Sequence, residues 1–320
     1  MFANFRQSIA DWIFRIKVPE TAPVTLVQRR IYILPTKQGY LFVLVLVVML
    51  FASINYALAL GFLLTFLLTA MGSVAMLHTW RNLSYLKLRP GRVEPVFAGE
   101  TAHFGVTLET PGAGRFAVAV RRIGEDPVYC DVNPVAPASI AIPAAARRRG
   151  LLECGRLEIF TRYPVGLFHA WAYFDFGQRA IVYPRPDTTA GAPPALSTAT
   201  GEGSLSVPGD EEFHQLRPYH AGDPPRQIAW KALARGQGLL SKEFHAMAAD
   251  EIWLTWDDAA SSFAEAKLSV LAHWVLESDR RGQRFGLMLP GVRIPPATGD
   301  AHRDRALEAL ALFGITAPAT

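Results

Sequence analysis

The sequence predicts an α+β membrane protein built from several parts, and three observations carry that expectation. Tyr40 to Leu77 is a run of 38 residues with no Asp, Glu, Lys, Arg or His. From Leu83 to Pro186, short runs of alternating apolar and polar residues are separated by turn residues, the pattern of half-buried strands. Beyond residue 209, strand-like and helix-like periods alternate, which implies an α/β layer.

The apolar run comes first in the argument because it is the most constrained. As one helix, 38 residues would be about 57 Å long, against a hydrocarbon core of about 30 Å. Two passes fit, so a hairpin is expected over 36–77, with spans of about 36–53 and 56–77. Ser53-Ile54-Asn55-Tyr56 is its polar break and Asn55 sits at the tip. Arg29, Arg30 and Lys37 precede the run, and Arg81, Lys87, Arg89 and Arg92 follow it, while the tip carries no basic residue. The positive-inside bias then puts both termini on the cytoplasmic side of a plasma membrane. Within the leading segment 1–35, Phe2, Phe5, Ile9, Trp12, Ile13 and Ile16 recur at helical spacing among Arg6, Arg15 and Lys17, the pattern of a short helix lying in the inner leaflet.

Residues 78–186 read as a β-sandwich. Seven or eight short strands are expected, among them Tyr85–Leu88, His103–Leu108, Phe116–Arg121, Leu157–Phe160 and Phe168–Phe174, with turns at Pro111-Gly112, Arg149-Gly150 and Tyr163-Pro164. That density of strands suggests an immunoglobulin-like arrangement. Residues 187–208, rich in Thr, Ala, Gly, Pro and Ser, read as a flexible linker.

In the region 209–320, Asp223 followed by Pro224 and Pro225 has the form of a helix start. The helix is expected to end at Arg235-Gly236, with a strand at Leu239–Phe244. Then come a strand at Glu251–Trp256, a helix at Ala264–Arg280, a strand at Arg284–Leu289 and a helix at Ala301–Phe313. Arg217, Arg226, Lys231, Arg235 and Lys242 fall within 26 residues. Lys231 and Arg235 are four apart and share a helix face, so with Lys242 they offer a basic surface for docking a partner.

Much of the usual enzymatic repertoire is missing. No HExxH, Gly-x-Ser-x-Gly or P-loop pattern occurs, and eight histidines show no paired ligand spacing. No catalytic residue or cofactor is expected, and the chain is read as a non-enzyme. Cys130 and Cys154 lack the spacing of a zinc site. The net charge of +4 is scattered, which argues against nucleic acid and leaves the lipid bilayer as the simpler partner.

The pattern Phe213-x-x-x-Arg217-x-Tyr219-x-x-Gly222-Asp223-x-x-Arg226-x-Ile228-x-Trp230-Lys231-x-x-Ala234-Arg235, followed by Lys242-x-Phe244, resembles the signature of the bacterial family called domain of unknown function fifty-eight. Arg149-Gly150, Tyr163-Pro164-Val165-Gly166-Leu167-Phe168 and Val182-Tyr183-Pro184 resemble it as well. The resemblance implies an accessory or scaffold role at the inner membrane beside MoxR-type AAA+ ATPases and transglutaminase-like membrane proteins, with no established reaction. Longer members carry a von Willebrand A-like domain whose metal site needs Asp-x-Ser-x-Ser. Here Asp257-Asp258-Ala259-Ala260-Ser261-Ser262 lacks the first serine in either register, so Asp257, Asp258, Ser261 and Ser262 form a degenerate candidate and the domain a truncated one. Two alternatives stand beside the scaffold: a membrane-tethered hydrolase or cell-wall-modifying enzyme, and a metal-dependent adhesion module.

Overall fold

The computed structural model describes residues 20–193, 208–218, 240–245 and 251–315. The chain is α+β and divides into two compact units, Met1–Val182 and Tyr183–Thr320. The interfacial helix expected in the first 17 residues lies outside the described residues.

The first unit holds two long apolar helices, α1 (Lys37–Asn55) and α2 (Ala59–Leu83), both long and apolar enough to cross a membrane. Their large apolar side chains stay exposed, Phe51 at 67% and Leu60 at 80%, whereas a soluble core helix would bury such residues. The hydroxyls of Ser53, Thr65, Thr69 and Ser73 each donate to the carbonyl four residues back, so none is left unpaired in an apolar medium. Asn55 is the exposed last residue of α1, at the hairpin turn. The second helix runs six residues past Leu77. Its last turns are held by β-structure, which local composition does not reveal.

Two antiparallel sheets follow. The first has the order β1-β3-β5-β8, formed by β1 (Val24–Thr25), β3 (Lys87–Val93), β5 (Thr101–Glu109) and β8 (Ala138–Ala145). The second has the order β2-β11-β10-β6-β7, formed by β2 (Tyr32–Pro35), β11 (Phe168–Phe174), β10 (Leu157–Thr161), β6 (Arg115–Arg122) and β7 (Val128–Val132). A smaller sheet joins β4 (Val96–Phe97), β12 (Arg179–Tyr183) and β9 (Gly150–Glu153). The alternation is plain in β5, where Ala102, Phe104, Val106 and Leu108 are buried between exposed or half-buried neighbours. These residues join Leu88 and Ile142 from the first sheet, and Val118, Val120, Ile159, Ala172 and Phe174 from the second, in one core cluster. Each large side chain buried there contributes roughly 1.5–3 kcal/mol. Strands β1 and β2 were not expected within 1–35. They are two and four residues long, too short to show a period of two.

In the second unit, β15 (Ile252–Thr255) pairs in parallel with β16 (Phe285–Leu289), and α3 (Ala264–Arg280) makes the crossover between them. β17 (Val292–Ala297) adds antiparallel to β16, and α4 (Asp300–Leu312) follows. Pro295 and Pro296 keep β17 at an edge, where lost ladder bonds are tolerated, and they hid this strand from the sequence pattern. The His302 ring nitrogen Nε2 lies 2.7 Å from the Phe285 carbonyl and the ring packs on Phe285, so this histidine is a satisfied core residue. Residues 187–191, expected to be linker, lie against α3: Asp187 N–H donates to the Ser269 carbonyl, and the Trp274 indole donates to the Gly191 carbonyl at 2.9 Å. A two-stranded ribbon, β13 (Pro208–Pro218) and β14 (Leu240–His245), completes the described elements.

Candidate functional site

The most elaborated polar arrangement lies where the apolar hairpin meets the second sheet. Thr36 starts α1: its hydroxyl accepts from Gly39 N–H at 3.1 Å and donates to the Gly166 carbonyl at 2.7 Å, while its own N–H donates to the Leu167 carbonyl. Gly39 is required by this closeness. A Cβ there would stand 2.1 Å from the Leu167 carbonyl oxygen. At the end of α2, Thr79 Oγ1 donates to the Tyr163 carbonyl at 2.8 Å. One turn on, buried Asn82 donates through Nδ2 to the Phe116 carbonyl and to Thr161 Oγ1, and its Oδ1 accepts from Phe116 N–H. Thr161 in turn donates to the Ala117 carbonyl and accepts from Tyr163 N–H. Both helix ends are thereby fastened to the segment 162–167 and to the irregular start of β6.

That irregularity has a local cause. The pairing of β6 with β7 shifts between Arg115 and Val118, and Ala117 takes φ 49°, a bulge. The amide of Ala117 is satisfied by Asp131 Oδ1 at 2.7 Å. The bulge leaves the Phe116 ring outside the core, 48% exposed and 5.4 Å from the Tyr163 ring. None of Thr36, Thr79, Asn82 or Thr161 was singled out from the sequence. The available signal was uncharged polar residues at 79 and 82, three apart and just beyond the charge-free run.

On the outer face of the second sheet, His169 lies between the Phe160 and Trp171 rings, at 5.2 and 5.3 Å, and its Nδ1 is buried without a hydrogen-bond partner. Burial, and then the charges of Arg162 and Arg121, push its pKa down to about 4. Both cysteines are free thiols, and burial pushes Cys130 up to about 11 and Cys154 up to about 12, so neither is a ready nucleophile at neutral pH.

The degenerate metal loop follows β15. Asp258 accepts from the Thr255 hydroxyl, which closes the turn on itself. Asp257 and Ser262 are exposed, and Ser261 Oγ accepts from Phe263 N–H. Lys267 Nζ donates to the Trp256 carbonyl at 3.1 Å and lies 5.2 Å from the centre of the Trp256 ring. A cation already stands at the loop. Among the described residues, no cluster of three or more His, Cys, Asp or Glu is placed to hold a metal.

A family model described as "Protein of unknown function DUF58" matches residues 215–320. The DUF58 resemblance holds over that segment. No curated protein matches the chain. The DUF58 segment begins inside β13 and contains β14–β17, α3 and α4, together with every signature position from Arg217 to Lys242. Of these, Arg217 and Lys242 lie on the paired strands β13 and β14: Arg217 is opposite Ser241, and Lys242 is opposite Leu216. Because positions alternate faces along a strand, the two basic positions fall on opposite faces of the ribbon. Tyr219, Gly222, Asp223, Arg226, Trp230, Lys231 and Arg235, and the helix expected from Pro224, lie outside the described residues.

Proposed function

We propose that the chain is an inner-membrane accessory protein that scaffolds a membrane-associated complex, with both termini on the cytoplasmic side and a MoxR-type AAA+ ATPase as partner. In this reading the two larger sheets form an immunoglobulin-like sandwich, and residues 251–315 form a truncated von Willebrand A-like fragment. The observation that carries the proposal is mechanical. Helix α2 continues without interruption from its apolar stretch to Asn82, whose side chain is bonded to β6 and β10. A β-structure fastened directly to its anchor holds whatever binds it at a fixed place on the membrane. The partner's identity comes from the family resemblance, and the basic positions Lys231, Arg235 and Lys242 supply charge that an acidic patch on it would match.

Purification of the full chain in mild detergent, followed by mass spectrometry, is expected to recover the ATPase. Repeated recovery without it overturns the reading. The double variant Lys231→Glu, Arg235→Glu is expected to lose the partner while keeping its circular dichroism spectrum. Reporter fusions at the carboxyl end are expected to report the cytoplasm.

A further inference from the structure

The exposed apolar residues beside the hairpin's inner end form a surface with a specific neighbour. Phe116, Tyr163 and Val165 are 48%, 37% and 58% exposed, and the first two rings are in contact. The backbone that carries them is tied to the helices. Tyr163 carbonyl accepts from Thr79, Phe116 is held through N–H and carbonyl by Asn82, and Gly166 and Leu167 carbonyls accept from Thr36. Thr79 is two residues beyond Leu77, where the charge-free run ends, and Gly39 is one residue before Tyr40, where it begins. At about 1.5 Å of rise per residue, Thr79 lies about 3 Å past the apolar limit, Thr36 about 6 Å before it and Asn82 about 7.5 Å past it, so these contacts fall within about a turn and a half of that limit. Met76 and Leu77 on α2 are exposed as well, so lipid-facing apolar surface continues along the helix toward Tyr163. Lys37, Arg81 and Arg162 are exposed on the same segments.

From this we propose that the face made by Phe116, Tyr163 and Val165 rests in the headgroup–acyl boundary of the bilayer, so that the β-structure lies on the membrane. The proposal rests on the reading that α1 and α2 cross that bilayer. An aromatic ring with a polar handle is at home at this depth, as Tyr163 is, and the basic residues face anionic headgroups. A membrane occupant also explains why an apolar cluster is left uncovered at this point of the fold. The bulge at Ala117 and the Asn82 clamp are what turn Phe116 toward lipid.

The test uses the full chain with Cys130 and Cys154 replaced by serine, reconstituted in nanodiscs of phosphatidylcholine and phosphatidylglycerol. Single fluorescent labels are placed at Val165→Cys, Phe116→Cys, Val47→Cys and Asp126→Cys. Val47 is mid-span in α1. Asp126 is in the turn at the far end of β6, about 20 Å along the strand from Phe116. The labels at 165 and 116 are expected to lose emission when acyl chains brominated near the glycerol backbone are used, and to be shielded from aqueous iodide. The label at 47 is expected to be quenched by deep bromination, and that at 126 by iodide alone. Free iodide quenching at 165 with bromolipid quenching kept at 47 overturns the proposal and leaves the membrane-spanning hairpin standing. Loss of bromolipid quenching at 47 overturns both. If labelling at 116 perturbs the bulge, position 165 decides alone.

Discussion

Asn82 grips Phe116 by both ends of its peptide: Nδ2 donates to the carbonyl at 2.7 Å, and the amide donates to Oδ1 at 3.1 Å. The pairing resembles a ladder rung contributed by a helix side chain. It occurs where the bulge at Ala117 interrupts the ladder of β6 with β7, so the side chain supplies bonds that the sheet there does not. Replacing Asn82 with Leu keeps the volume and strands the Phe116 amide and carbonyl, whereas Thr161 Oγ1 keeps its bonds to the Ala117 carbonyl and to Tyr163 N–H. Each buried polar group left unpaired costs about 1–3 kcal/mol. Asn82→Leu is therefore expected to lower the unfolding midpoint in detergent, at a cost of about 2–4 kcal/mol. Proteolysis near residues 112–116 should increase in parallel. An unchanged midpoint would show that the junction contributes nothing to stability.

The other fastening is tested at Gly39. A Cβ at this position meets the Leu167 carbonyl oxygen at 2.1 Å, and the obstacle is backbone, so α1 or the segment 166–167 has to move. Alanine usually stabilises a helix interior by up to about 1 kcal/mol relative to glycine. Gly39→Ala is expected to reverse that sign and to destabilise. Gln38→Ala, one residue earlier and exposed, serves as the ordinary comparison. A midpoint for Gly39→Ala equal to or above that of the native chain contradicts the close approach.

His169 sets a pH dependence. Its folded pKa, about 4, lies below the ordinary value of 6.5, and burial between Phe160 and Trp171 is the first cause. Between these limits the unfolded chain takes up a proton that the folded chain refuses, so stability is complete above pH 6.5 and is lost as pH falls toward 4. His169→Phe keeps an aromatic ring in the row and removes the titration. Because the variant also removes the unpaired Nδ1, it should be somewhat the more stable at pH 7.5, and its advantage over the native chain should widen at pH 5. Equal slopes for both proteins between pH 6.5 and 5 would assign the acid sensitivity to other groups.

What could be read from the sequence follows the range of the interactions concerned. Helix α3 is legible to the residue at Ala264–Arg280, because its amphipathic period is local. Strand β5 shows itself through the alternation from Ala102 to Leu108. The extension of α2 past Leu77 is invisible for the opposite reason. Thr79 and Asn82 find their partners 84 and 34 residues away, and no window of sequence holds both sides. β1 and β2 are short and are recruited by β3 and β11, so their existence is a tertiary fact. The basic positions Arg217 and Lys242 look like one cluster along the chain. Only the strand register separates them onto two faces.

The loop after β15 yields the last prediction, which concerns divalent metal. The sequence lacks the first serine of the metal motif, and the geometry adds two further obstacles. Asp258 is already engaged by the Thr255 hydroxyl, and the Lys267 ammonium sits at the Trp256 carbonyl and over its ring. Magnesium holds near-octahedral oxygen coordination at about 2.1 Å and binds poorly beside a fixed ammonium. Millimolar Mg²⁺ is expected to leave the unfolding midpoint where EDTA leaves it. Lys267→Met removes the charge and unpairs the Trp256 carbonyl, and is expected to cost about 1–2 kcal/mol, since a half-buried charged hydrogen bond and a cation–π contact are lost together. The two measurements separate the roles. If Lys267→Met destabilises and Mg²⁺ does not restore the loss, the lysine is the loop's own cation. If Mg²⁺ stabilises the native chain, Asp257 and Asp258 are ligands after all.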